Sequence, residues 1–486
     1  MAKHAHILIQ HAEVADGTGA PRFDADIAII DDRIAFVGDC SHWTADQRID
    51  ARGLVVSPGF IDTHTHDDRL LLSSNSMEPK VSQGVTTVIT GNCGISLAPT
   101  PQRLQAPITP PLDLLDGEGD WFTHPTFQSY VDALQQQPAA TNCAPLVGHT
   151  TLRIVAMSAL DRPATADELT RMKALLREAM QAGAIGLSTG LAYDPAIAAS
   201  TEEVIELAKV AAEFGGVYCT HLRDESDHVM DALEEAFRIG REANLPVVIS
   251  HHKVAGKNNF GRSTETLERI RQQMGVQDIC LDCYPYAASS TVLSVKHASS
   301  ALKVLVTWSK SCPDMAGRDL ADIQKEWQCS LEEAVGRLQP AGAIYHRMDD
   351  ADVSRILAFD DTMIGSDGLP HDAVPHPRLW GSFPRVLGHY SRERGLFSFE
   401  KAIHKMTGLS AQKFGLRDRG FIRDGAYADL VILHADTVAE ASSFARPIAP
   451  AIGIETVLVN GKIVWNAGQT TDARPGHVLS REAVTP

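Results

Sequence analysis

No stretch of this 486-residue chain approaches the run of about 20 apolar residues that a membrane-spanning helix requires. The first fourteen residues carry only the short apolar segment Ile7-Leu8-Ile9, which is no secretory leader. Neither membrane nor export is expected, and the cytoplasm is the expected location. Cysteine is scarce: eight residues, irregularly spaced, suit a reducing compartment rather than a disulfide framework. An excess of basic charge is missing too. Lys and Arg total 44 against 61 Asp and Glu, and the resulting charge of -17 is spread along the chain, which argues against nucleic acid as a partner. No Gly-x-Gly-x-x-Gly turn follows the first strand, so the usual argument for a dinucleotide-binding open sheet fails.

What is present is enough apolar sequence, 44% of residues, for one large core and a smaller domain. Short strand-like segments punctuated by turn residues occupy 6–12, 26–30, 33–38 and 53–58. The same texture returns at 430–433, 454–460 and 461–465, which predicts one small β domain assembled from both ends of the chain. Between these ends, helical periodicity alternates with short apolar segments. Helix 165–182 precedes strand 184–187, 202–214 precedes 217–220, 229–243 precedes 246–250, 264–274 precedes 278–283, and 351–359 precedes 363–365. Repeated helix–strand units imply parallel strands joined by right-handed crossovers. The expected architecture is an α/β (β/α)8 TIM-type barrel over residues 61–419, with the small β domain built from 1–60 and 420–486. Two segments interrupt the repeat. Residues 99–119, rich in proline, read as a long surface loop, and 286–343 read as an insertion containing one helix-like stretch over 320–338. In a barrel such an insertion leaves a strand's C-terminal end, where substrate loops belong.

The strongest local signal is Pro58-Gly-Phe-Ile-Asp-Thr-His-Thr-His66. His64 and His66 are two apart, so extended backbone turns both imidazoles the same way, as a shared metal requires. Other metal-capable side chains fall where apolar strand segments end: Cys93 after 85–90, His221 after 217–220, His251 after 247–250 and Asp367 after 363–366. Each alone has a bland reading as a buried thiol, a core histidine or a helix cap. Together they place two histidines, a thiol, two more histidines and a carboxylate at one end of the strands, the catalytic face of a barrel and the donor chemistry of zinc. The Cys280-x-x-Cys283 pattern reads differently. On a strand its two sulfurs face opposite ways, as buried core thiols would. His149 also ends a strand segment and reads as structural or supporting.

The motifs Pro58–His66, Gly91-Asn-Cys-Gly94, Thr220-His-Leu-Arg223, Ser250-His-His-Lys253 and Gly365-Ser-Asp-Gly-Leu-Pro-His371 resemble the amidohydrolase superfamily, specifically its N-acyl-D-amino-acid deacylases (D-aminoacylases). The resemblance covers nearly the whole chain, and the cysteine of Gly91–Gly94 is its narrower mark. It implies hydrolysis of the amide of N-acyl-D-amino acids, small-molecule substrates. It implies a tightly held zinc on Cys93, His221 and His251, a weaker second site involving His64, His66 and Asp367, and Asp367 as general base. It also selects His251 over its neighbour His252. Many superfamily relatives bridge their metals with a carbamylated lysine on strand four; the stretch Ala184-Ile-Gly-Leu-Ser-Thr-Gly190 has none, and a thiolate in its place is the expected substitute. For the substrate carboxylate the resemblance implies Lys253, Tyr284, Ser290 and Arg378. In some members an arginine after Ser290 accompanies preference for acidic D-amino acids, and here Lys296 stands in that neighbourhood. A cyclic-amide hydrolase of the hydantoinase or dihydroorotase kind is the competing reading, disfavoured by the missing lysine and by Cys93. A non-catalytic scaffold is disfavoured by the complete donor set.

Overall fold

The computed structural model describes residues 3–482. Eight parallel strands form a barrel: Phe60–Asp62, Val85–Thr90, Asn142–Pro145 continued by Val147–Gly148, Gly186–Gly190, Val217–His221, Val247–Ile249, Ile279–Cys283 and Thr362–Ile364. The last strand meets the first, where the Thr63 amide donates to the Ile364 carbonyl at 3.3 Å and Thr65 bridges Gly368. The strands are short and buried on both faces, which is why they read as continuous apolar runs rather than alternations. Inward-facing Ile61, Ile89, Ile185, Val217, Val248, Cys280 and Met363 fill the barrel, and Leu409, Phe414 and Leu416 join that cluster. Outward-facing residues such as Val88, Leu187, Val247 and Leu281 pack under the helices. Cys280 lies in the inner cluster and Cys283 in the outer one, buried core thiols on opposite faces as expected.

Local sequence explains where the helices begin. Thr165 caps helix Ala166–Gln181 in a reciprocal capping box with Glu168, and the Ser200 side chain caps Thr201–Glu213. Each turns its apolar stripe inward, Met172, Leu176 and Met180 in the first and Val204, Leu207 and Val210 in the second.

Strands from both ends of the chain make one nine-stranded sheet, in which Val55–Pro58 pairs antiparallel with Leu430–Leu433. The strand Thr44–Asp50, paired parallel to His4–Val14, was not expected, because it holds mostly polar, half-exposed residues without apolar alternation. The insertion forms a three-stranded antiparallel sheet, Ala288–Val292, Lys303–Ser309 and Ala341–His346, which emerges from the C-terminal end of Ile279–Cys283. Its helical stretch is two helices, not one. Leu320–Trp327 ends at Gln328 in a left-handed conformation (φ 49°), and Ser330 with Glu333 caps a new start for Leu331–Leu338. The proline-rich segment also departs from expectation. Residues 101–107 are largely exposed as expected, but Leu112, Leu114 and Leu115 are buried, so the later part of the segment packs over the barrel mouth.

Candidate active site and metal centre

Chemistry-bearing residues collect where barrel strands end. His64 and His66 follow Phe60–Asp62, Cys93 follows Val85–Thr90, His221 closes its strand, His251 follows Val247–Ile249, and Asp367 follows Thr362–Ile364. Cys93 (φ 53°), His251 (φ 36°) and Asp367 (φ 49°) all sit in the left-handed region, which non-glycine residues adopt at a cost and which clusters at functional sites. Gly365 has a different reason to be glycine: a Cβ there would lie 2.6 Å from the His64 Cβ, so only a bare backbone lets the last strand close on the first.

Cys93 is the hub. Its Sγ is 3.2 Å from the Nε2 of both His64 and His251. Asp367 Oδ1 is 3.2 Å from His66 Nε2 and 3.6 Å from His64 Nε2. Two sets of donor atoms lie within 4.8 Å of one another: Cys93, His221 and His251, and His64, His66, Cys93 and Asp367, with Cys93 common to both. The nitrogen and sulfur donors of the first set fit zinc-like ions. The Cys93 thiol, which burial foremost pushes well above its ordinary value, ionises readily only beside a cation. His252 is no part of this cluster; its Nε2 turns away to Thr266 Oγ1 at 2.8 Å.

Three buried carboxylates and a lysine brace these groups, and sequence reasoning missed them. Asp282 Oδ1 accepts from the His251 amide at 2.8 Å and lies 3.6 Å from His64 Nδ1; burial pushes its carboxyl up to about 7. Glu225 Oε1 is 3.1 Å from His251 Nδ1 and 2.6 Å from Lys253 Nζ, placing a carboxylate behind a metal-capable imidazole. Burial would raise Glu225, but the charge of Lys253 foremost holds it well below the usual carboxylate range. Beneath the histidine pair, fully buried Lys80 donates to Asp62 (2.7 Å), Thr65 (2.9 Å) and Ser366 (2.9 Å), tying the first strand's end to the last's. Four-residue spacing from His221 was the available signal for Glu225, and in-register alternation with Cys280 the signal for Asp282.

The expected substrate residues divide. Lys253 and Ser290 line a small inner cavity of about 20 Å³, with the unexpected Glu225, His297 and Arg347 and with His66, Cys93, His221, His251 and Asp367 of the donor cluster. Tyr284 and Arg378 stand behind it. The Arg378 guanidinium lies 4.6 Å from the Tyr284 ring centre, 2.8 Å from Asp367 Oδ2 and 3.0 Å from the Ser290 carbonyl. Burial would raise the Asp367 carboxyl, yet the charge of Arg378, followed by that of His251, holds it well below the ordinary value. Lys296 is exposed and lines an outer cleft of about 410 Å³ rather than the inner cavity. Its neighbour His297 and the unforeseen Arg347 line both spaces. His149 is structural: its Nε2 meets Glu203 Oε1 at 2.9 Å away from the cluster.

A model described as "Amidohydrolase family" matches residues 47–298 and 324–465. The chain belongs to the amidohydrolase family. Within it, the D-aminoacylase of Alcaligenes xylosoxydans xylosoxydans is 53% identical over 98% of both chains. The N-acyl-D-aspartate deacylase of the same organism is 50% identical over 98% of this chain and 95% of that one. A crystal structure of the N-acyl-D-glutamate deacylase of Bordetella bronchiseptica, complexed with zinc and a phosphonate inhibitor, superposes with TM-score 0.94 at 43% identity, covering 98% of this chain and all of that one. These likenesses put this amidohydrolase in the N-acyl-D-amino-acid deacylase branch. An Arthrobacter aurescens L-hydantoinase, 17% identical with TM-score 0.60, shares the fold alone.

Proposed function

We propose that this amidohydrolase cleaves the amide of N-acyl-D-amino acids with zinc as its metal, releasing a carboxylate and a free D-amino acid. The observation that carries the reading is Cys93, the one donor common to both metal-capable sets, in a chain 53% identical along its length to a D-aminoacylase. Cys93, His221 and His251 hold the tight ion, and His64, His66 and Asp367 complete a weaker site with Cys93. A zinc ion there supplies Lewis acidity toward the amide carbonyl and acidifies the attacking water.

The protein's own groups handle the rest. Asp367, kept ionised by Arg378, takes the proton of the attacking water at Oδ1 and returns it to the leaving nitrogen. Glu225 Oε1 at 3.1 Å and Lys253 Nζ at 2.6 Å both hold His251 Nδ1 on their side, which leaves Nε2 facing the metal site. Lys253 and Ser290 meet the substrate carboxylate, with Arg378 and Tyr284 supporting them from behind. A side-chain carboxylate passes Arg347 first and Lys296 only at the outer cleft.

The test is a panel of N-acetyl-D- and N-acetyl-L-amino acids with metal analysis of the same sample. Expected are zinc in the preparation and at least a hundredfold preference for D substrates. Equal rates on both enantiomers would overturn the assignment.

A further inference from the structure

The inner cavity at the donor cluster is small, about 20 Å³, so the parts of a substrate distant from the reacting amide extend beyond it. It lies between two larger spaces. On one side Glu225, His297 and Arg347 form walls common to the inner cavity and the outer cleft. On the other side Leu114 is common to the inner cavity and a chamber of about 810 Å³. The same segments continue from one space into the other: His66 lines the inner cavity and Arg69 the chamber, Leu369 the inner cavity and His371 the chamber. The chamber wall is built by the proline-rich segment and the insertion strand Lys303–Ser309, with Ile108, Leu115, Trp121 and Trp308 among its apolar surfaces.

An N-acyl amino acid has two unlike halves, one ending in a carboxylate and one in an acyl chain. Arg347 stands on the cleft side, and Lys253 is ion-paired to Glu225, which lines that cleft. The carboxylate half therefore belongs there, and the acyl half faces Leu114. We propose that the chamber behind Leu114 is an acyl-binding site, and that the enzyme takes substrates with long aliphatic or aromatic acyl groups. Its volume falls within the roughly 300–1,000 Å³ of small-molecule pockets, far more than an acetyl group fills. Of its five wall carboxyls, burial pushes Asp113 and Asp372 up to about 7, and Asp116, Glu118 and Asp120 are ion-paired to Arg69, Lys310 and Arg103, so little unbalanced charge faces an apolar occupant near neutral pH. The inference rests on the deacylase reading above and adds which acyl class that activity takes.

The experiment measures kcat/KM of the zinc-loaded enzyme on the N-acetyl, N-butyryl, N-hexanoyl and N-octanoyl forms of one D-amino acid. A methylene leaving water is worth at most about fourfold, so a rise of tenfold or more from acetyl to octanoyl is expected. Trp308→Ser, which removes an apolar wall, should lower the octanoyl-to-acetyl ratio at least fivefold, and Leu114→Ala, which trims the side chain that lines both spaces, should raise it. Octanoate should inhibit competitively at lower concentration than acetate, a readout independent of how well either variant folds. Cleavage of the acetyl substrate with a flat or falling series, and no preference for octanoate over acetate, would overturn the acyl site while leaving the deacylase reading standing. Failure to cleave any member of the series would instead sink the deacylase reading itself.

Discussion

Asp367 is restrained from two sides, by His66 through Oδ1 and by Arg378 through Oδ2. Asp367→Asn keeps the shape but removes the proton acceptor, so bound metal should persist while kcat falls by about 10²–10⁴; metal content and turnover measured together check this, and retained turnover would remove Asp367 from the role of base. Cys93→Ala takes a donor from both sets and should lower metal content and activity in parallel. Side-chain reading makes a third case. Arg347→Met should lower kcat/KM for N-acetyl-D-glutamate about tenfold to a hundredfold, the worth of one charge-assisted contact, and leave N-acetyl-D-methionine nearly as it was. Equal losses on both would assign Arg347 a structural role through Ser289 and Glu225. The metal-capable residues were legible because their types are uncommon at strand ends and six of them recur there. Glu225 and Asp282 were not, since a carboxylate four residues beyond a histidine or inside an apolar strand shows its partner only once strands sit side by side.

At the scale of elements, the helix–strand repeat was legible because the outer helices carry apolar stripes, several of them behind a capping Thr, Ser or Asp. The mouth was not. Residues 99–119 look like solvent-exposed loop in composition, and only their position over the barrel buries Leu112, Leu114 and Leu115. Some joints between elements are ionic. Glu203, on helix Thr201–Glu213, accepts from His149 Nε2 at 2.9 Å, from Arg153 Nη1 at 2.6 Å and from the Ala164 amide at 2.9 Å. Burial would raise its carboxyl, but the His149 and Arg153 contacts hold it at about 2 against an ordinary 4.5. A depressed carboxylate stabilises fully above its unfolded value and loses that contribution as pH falls through the folded one. Glu203→Gln should therefore lower the unfolding free energy by about 3 kcal/mol at pH 7, with the gap from the parent narrowing as pH falls from about 4.5 to about 2. Urea titrations at several pH values read this directly; a gap independent of pH would show that the helices are joined by packing alone.

On the scale of the whole molecule, the terminal sheet crosses the chain's full length. Val55–Pro58 has His4–Val14 on one side and Leu430–Leu433 on the other, and nothing else among the described residues covers that second edge. A chain ending at residue 419 should keep its barrel residues yet expose this apolar edge, and light scattering should report aggregation where the full chain stays monodisperse. A clear, stable truncated protein would mean that the barrel alone shields the strand. Pairing of the two ends also sets a clock on synthesis. About 370 residues separate Pro58 from its partner Leu430. At roughly 5–20 residues per second a ribosome needs on the order of 20 to 75 seconds to make them. Throughout that interval the nascent N-terminal strands carry an unfilled hydrogen-bonding edge, so the step at which a cell can lose this protein is its translation, and co-expressed holdase chaperones should raise its soluble yield more than any change at the metal centre.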